Sequence, residues 1–124
     1  MEMCRLNIGV IGIAGAWSTE SLSASLARKG AGGQVIQLNE ISYDLASGDV
    51  CSKQQNLNEF DGFIIKKMGA DYSANLLDQL ELLELLERRG VRFFSSPAMI
   101  RRMISRLGCT LRLLDNSIPM PPTF

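Results

Sequence analysis

Leu6-Asn7-Ile8-Gly9-Val10-Ile11-Gly12-Ile13 is a short run, rich in β-branched residues and apolar at successive positions. Such a run predicts a central parallel strand covered on both faces, because a half-exposed strand would alternate apolar with polar side chains. Ser18 follows a short loop and is expected to cap a helix to about Lys29, with Glu20 in the first turn, Leu22 and Leu26 on one face, and Arg28, Lys29 and then Gly30 at its end. The chain therefore opens as a strand followed by a helix.

Working outward, residues 34–38 read as a second strand and Phe63-Ile64-Ile65 as a third buried one. Between them residues 39–59 are mostly polar, carry a turn signal at Ser47-Gly48-Asp49, and leave room for a short edge strand. Ser73 is expected to open a long helix through about Arg89 that holds seven leucines. At about 100° per residue, Leu76, Leu80, Leu83 and Leu86 form one stripe flanked by Leu77 and Leu82, and Leu85 falls opposite it. Leu85 is then either an ordinary exposed leucine on a sheet-covering helix or part of a partner surface. Gly90 ends this helix, and Val91-Arg92-Phe93-Phe94 gives a fourth strand. Ser96-Pro97 reads as an N-cap followed by proline at the first helical position. Met99, Ile100, Met103, Ile104 and Leu107 lie at helical spacing, Gly108 is expected to break that helix, and residues 109–115 resume as a short one. The order predicts an α/β, Rossmann-like, doubly wound open sheet of four to five mainly parallel strands with helices on both faces.

Composition narrows the function. The chain has 124 residues, with 13 Lys plus Arg against 13 Asp plus Glu. With no global field to hold a polyanion, no nucleic-acid partner is expected, and only Arg101, Arg102, Arg106 and Arg112 approach a basic patch. Cys4, Cys51 and Cys109 are far apart and the chain has no histidine, so reduced, packed thiols are expected rather than a zinc set. The first residues lack a cationic lead and a long apolar run, which points to the cytoplasm and to no membrane partner. The last residues, Ile118-Pro119-Met120-Pro121-Pro122-Thr123-Phe124, are proline-rich and extended. The expected organisation is an α/β domain over 1–117 and, over 118–124, the start of a linker to a further, missing domain.

In open parallel sheets ligands sit beyond the carboxyl ends of the strands, at the switch in strand order. Three loops then matter: residues 14–18, 66–73 and 95–97. Gly9, Gly12 and Gly15 are spaced GxxGxxG, which is not the GxGxxG of a dinucleotide site, and no Gly-Lys-Ser/Thr follows to make a phosphate loop. Lys66 and Lys67 carry charge out of a buried strand at the ligand edge and are candidates for an anionic substrate. Trp17 either walls an acceptor pocket or packs on its own helix. Gly15 and Gly69 either admit a ligand close to the backbone or permit turns. Amides at the helix starts after Trp17 and Ser96 have orphan donors for a carboxylate. Ser18, Tyr72, Ser73, Ser95 and Ser96 add hydroxyls, with capping as the alternative role of Ser73 and Ser96.

Asp61-Gly62-Phe63-Ile64-Ile65-Lys66-Lys67-Met68-Gly69, a helix, and Glu87-Arg88-Arg89-Gly90-Val91-Arg92-Phe93-Phe94-Ser95-Ser96-Pro97 together resemble the N-terminal region of RimK-type ATP-grasp ligases, including glutathione synthetase-like enzymes. That family runs D-v-v-l-x-R-x-g, a helix, G-x-x-x-x-N-S-P-x-x-I, then D-K and a segment ending g-I-P-x-P-x-T. Ile100, Ile118-Pro119, Pro121 and Thr123 match it. Gly15-Ala16-Trp17-Ser18-Thr19-Glu20, Lys66-Lys67-Met68-Gly69, Tyr72-Ser73 and Phe94-Ser95-Ser96-Pro97 more closely resemble the ATP-grasp proteins named for the GAK gene system. The resemblance implies a pre-ATP-grasp domain, the lobe that supplies part of the acceptor-substrate site. It implies that ATP and Mg2+ are held by a missing C-terminal ATP-grasp domain, that the substrate is a small-molecule carboxylate joined to an amine, and that this chain alone is not catalytic.

The departures carry information too. Lys66 stands where the family commonly has arginine, keeping charge and losing the planar fork. Ser95 replaces an asparagine, and Ser105-Arg106 replaces the Asp-Lys pair whose lysine reaches ATP phosphates. Arg106 is thus either a cofactor contact or a solvated charge. Two other readings stay open: a free-standing module binding a small anion or nucleotide, and an interaction module using Leu85 and the apolar tail. A homodimer is compatible with all three.

Overall fold

The computed structural model describes residues 6–69 and 74–122. Its elements run β1 (Ile8–Ile11), α1 (Trp17–Arg28), β2 (Gly32–Ile36), β3 (Ile41–Asp44), β4 (Asp49–Ser52), β5 (Gln55–Asn56), β6 (Gly62–Ile65), α2 (Asn75–Arg88), β7 (Arg92–Phe93), α3 (Pro97–Ile104) and α4 (Arg106–Asp115). One sheet has the order β2-β1-β6-β7, with every neighbouring pair parallel. β1 is therefore interior, as its unbroken apolar run requires.

Strand alternation assigns the two faces. Ile11, Ile36 and Phe63 join the leucines of α2 in one buried cluster. Gly12 lies against Thr19 of α1, and Gly33 against Leu26 of the same helix. So α1 covers one face, over β1 and β2, and α2 covers the other. Gly9 is a packing device: a Cβ there would stand 2.6 Å from the Phe63 ring. That ring stacks on Phe60 at 4.8 Å and on Phe93 at 5.5 Å between centroids.

The leucine stripe of α2 is buried as its spacing predicts, at Leu76, Leu80, Leu83 and Leu86. Leu85 is a correction to the helical projection. It is half-buried and packs on the core, together with Ile100 and Ile104 of α3, because α3 lies alongside α2 and covers a second stripe. Leu77 is the leucine of this helix that stays exposed. Arg101 fastens the helix pair by donating from Nη2 to Glu84 at 2.6 Å and pairing with Glu81 at 2.9 Å. Gly90, at φ +99°, ends α2 with its amide on the Glu87 carbonyl and the Val91 amide on that of Leu86, a reversal that places Val91 in the core.

Other expectations shift. α1 begins at Trp17 with Ala16 as N-cap, so Ser18 sits inside the first turn and does not cap it. β2 starts two residues earlier than expected, and β7 is only two residues long. Residues 39–59 hold more than an edge strand. β3, β4 and β5 form a separate antiparallel sheet, whose Ile41 and Val50, with Leu57 beyond it, enter the same core as α2. The break after α3 falls at Ser105 and not at Gly108, because the Ser105 hydroxyl accepts from the Gly108 amide at 3.0 Å and caps α4. The expected helix start at Ser73 lies outside the described residues. Ile118 and its following prolines are exposed and form no helix or strand. No described helix is long and apolar enough to cross a membrane.

Candidate functional site at the carboxyl edge of the parallel sheet

β1 pairs with β2 on one side and β6 on the other, so the order of strands reverses direction between β1 and β6. The loop leaving β6 is stapled to the end of β1 at this point. Lys66 and Lys67 both donate their backbone amides to the Ile11 carbonyl, at 2.7 and 3.2 Å. Their side chains are exposed, and neither forms an ion pair with a described residue.

Lys66 stands between two cavities. One, of about 490 Å³, is lined by Lys66 and Lys67, by Ser95 and Ser96, and by Met99 and Met103. Its floor is Ile65, Met68 and Ile100, all seated on the core. The other, of about 330 Å³, is lined by Trp17, Leu22, Lys66 and three serines, Ser18, Ser21 and Ser25. Trp17 is 84% exposed, so it walls this second cavity and is not packed away beneath its helix. A third cavity, of about 430 Å³, opens on the far side of Met68 and Gly69, toward Gln37 and Asn75.

The β1–α1 loop is already satisfied by the chain's own side chains. The Gly15 amide donates to Glu20 Oε1 at 2.8 Å, and the Ala14 amide donates to Gln37 Oε1 at 3.2 Å. Gln37 in turn donates to Glu40 at 3.1 Å, and Lys53 pairs with Glu40 at 3.4 Å. The Gln37 hydrogen bond, then Lys53, holds the Glu40 carboxyl below its ordinary value. A phosphate at Gly15 would meet the Glu20 carboxylate, which fits the absence of a dinucleotide glycine pattern.

The remaining candidates divide. Ser96 is the N-cap residue of α3, but its hydroxyl donates to Glu87 Oε1 at 3.0 Å and accepts from no helix amide. Ser95 is exposed beside it. Arg106 is exposed at the start of α4 and lines none of these three cavities. Tyr72 and Ser73 lie outside the described residues. Among the described residues no group of three or more His, Cys, Asp or Glu side chains is placed to hold a metal ion. Sequence reasoning missed Glu20 and Gln37 as loop ligands and the methionines as cavity walls. The helical spacing of Met99 and Met103 was a signal for one face, yet Ile100 and Ile104 take the core and the methionines take the cavity.

The class defined is a mixed α/β fold with a parallel four-stranded sheet flanked by helices and a cation pair at its switch point. No protein-family model matches the chain, and no curated protein matches it.

Proposed function

We propose that this chain is the substrate-side lobe of an ATP-dependent carboxylate–amine ligase of the ATP-grasp kind. Its task is to seat the carboxylate, while a separate C-terminal lobe grips ATP and its magnesium. The observation that carries the reading is the Lys66-Lys67 pair: fixed through its backbone to the end of β1, without a described ion-pair partner, and bordering cavities on both sides. A carboxylate placed there meets positive charge and no acidic side chain in either lining. Ligation asks for that placement before anything else, because positioning supplies much of the rate enhancement in such transfers. The apolar stripe of α4, Leu107, Leu111 and Leu114, is exposed and suits the seat of a second lobe.

A free-standing module for small anions is the second reading, favoured by the same unpaired lysines. Reading the native frame past the codon for Phe124 separates the two. Continuation for roughly two domain lengths, with a glycine-rich strand-turn segment and a late acidic metal pair, supports the ligase lobe. A stop codon directly after Phe124 removes catalysis by that route and leaves anion binding.

A further inference from the structure

The two cavities flanking Lys66 differ in kind, and the difference selects a substrate class. On the Trp17 side three serines face the space. On the other side the walls are Met99 and Met103, 54% and 69% exposed, over a floor of Ile65, Met68 and Ile100. Both thioether side chains stand open beside the lysines, and methionine is the residue that adapts its shape to an apolar guest. The polar side chains of this lining are Lys66, Lys67, Ser95 and Ser96, and Ser96 has given its hydroxyl to Glu87. A volume of about 490 Å³ lies within the range of small-molecule sites.

Resting on the reading of Lys66 and Lys67 as a carboxylate seat, we infer that the acid taken here carries an apolar body: its carboxylate lies on the lysines and its alkyl or aryl part lies between Met99 and Met103. A second carboxylate in place of that body would be set among thioethers and isoleucine with no donor to receive it, which disfavours small dicarboxylates. Each methylene buried against the methionines multiplies affinity by about four. Free aryl or alkyl acids and N-acylated apolar amino acids share this chemistry.

The test is amide-resolved NMR titration of the whole chain with 3-phenylpropionate, N-acetylphenylalanine, glutarate and the methyl ester of phenylpropionate, with Trp17 fluorescence as a second readout. The aryl acids are expected to bind at least about tenfold more tightly than glutarate, shifting the amides of Lys66, Lys67, Ser95 and residues 99–103. A preference for 3-phenylpropionate over N-acetylphenylalanine, or the reverse, distinguishes the two sources. Lys66→Ala with Lys67→Ala is expected to lower that affinity at least about tenfold. Met99→Ser with Met103→Ser is expected to erase the preference over glutarate at an unchanged melting temperature, since both side chains are exposed. Glutarate binding as tightly as the aryl acids, with shifts at Ser18, Ser21 and Ser25, overturns this inference and leaves the carboxylate seat standing. An ester as tight as its acid overturns the lysine contact. Silence of all these amides toward every probe overturns the seat itself, and this inference with it.

Discussion

Gly9 shows how one atom sets a packing arrangement. Its missing Cβ leaves the space that the Phe63 ring fills, and that ring bridges Phe60 and Phe93 across the core. Gly9→Ala adds a methyl 2.6 Å from ring carbon, too near for a rotamer change of a buried phenylalanine to absorb. A loss of about 1–3 kcal/mol in urea unfolding is expected, as for other overpacked cores. An unchanged midpoint would mean that Phe63 has room to move, and the stack would not be the constraint argued here. Lys66 is the matching residue for the proposed function. Lys66→Ala is expected to leave the melting temperature within a degree or two, because an exposed lysine without an ion pair contributes little to folding. It is expected to weaken carboxylate binding several-fold, with the difference shrinking as salt is raised. Equal affinity in wild type and variant, measured by calorimetry at low salt, removes Lys66 from the site.

At the scale of elements, what the sequence makes legible is what periodicity encodes. β1 reads from consecutive apolar residues and α2 from leucines at helical spacing, and both stand where that reading puts them. The placement of Lys66, Lys67 and their loops at the carboxyl edge of the sheet was legible too, because it follows from where the strands end. The β3–β5 sheet was not, since its buried side chains are few among polar ones, chiefly Ile41 and Val50, and its strands are defined by pairing across turns. The break at Ser105 was hidden because a glycine in the first turn of α4 is tolerated once a serine hydroxyl takes its amide. Glu20, Gln37 and the methionine walls were invisible because each depends on the reach of one element's side chain to another. The β4–β5 turn offers an element-scale prediction. Lys53 and Gln54, at φ +48° and +67°, occupy the two central positions of a tight hairpin where asparagine and glycine are the favoured residues. Lys53→Asn with Gln54→Gly is expected to stabilise the fold by about 1 kcal/mol, reduced by the loss of the exposed Lys53–Glu40 pair. A drop in the melting temperature would show that this ion pair outweighs the backbone strain.

For the whole molecule, a balanced charge leaves acid sensitivity to individual carboxylates and not to a global field. Two of them lie close together in the chain, Glu40 on the segment joining β2 to the antiparallel sheet and Asp44 at the end of β3. Glu40 is held below its ordinary value by the Gln37 hydrogen bond and then by Lys53, and Asp44 by the Ala46 amide and then by Ser47. A carboxylate whose value is depressed on folding contributes stability that is complete above its unfolded value, near pH 4. That contribution is lost as pH falls through the lower, folded value. The chain is therefore expected to melt at a nearly constant temperature from pH 7 down to about 5, and at progressively lower temperatures below about 4. Glu40→Gln with Asp44→Asn is expected to melt below wild type at pH 7, and the gap is expected to shrink as pH falls below the ordinary carboxylate range and the depressed wild-type carboxyls take up protons. Added salt should narrow the pH 7 gap only in part, because Lys53 acts through solvent whereas the Gln37 and Ala46 hydrogen bonds do not. A gap that stays unchanged across the whole acid limb of the wild-type melting curve would assign the loss to altered packing at these two positions. The two ends of β3 would then owe their stability to shape and not to charge.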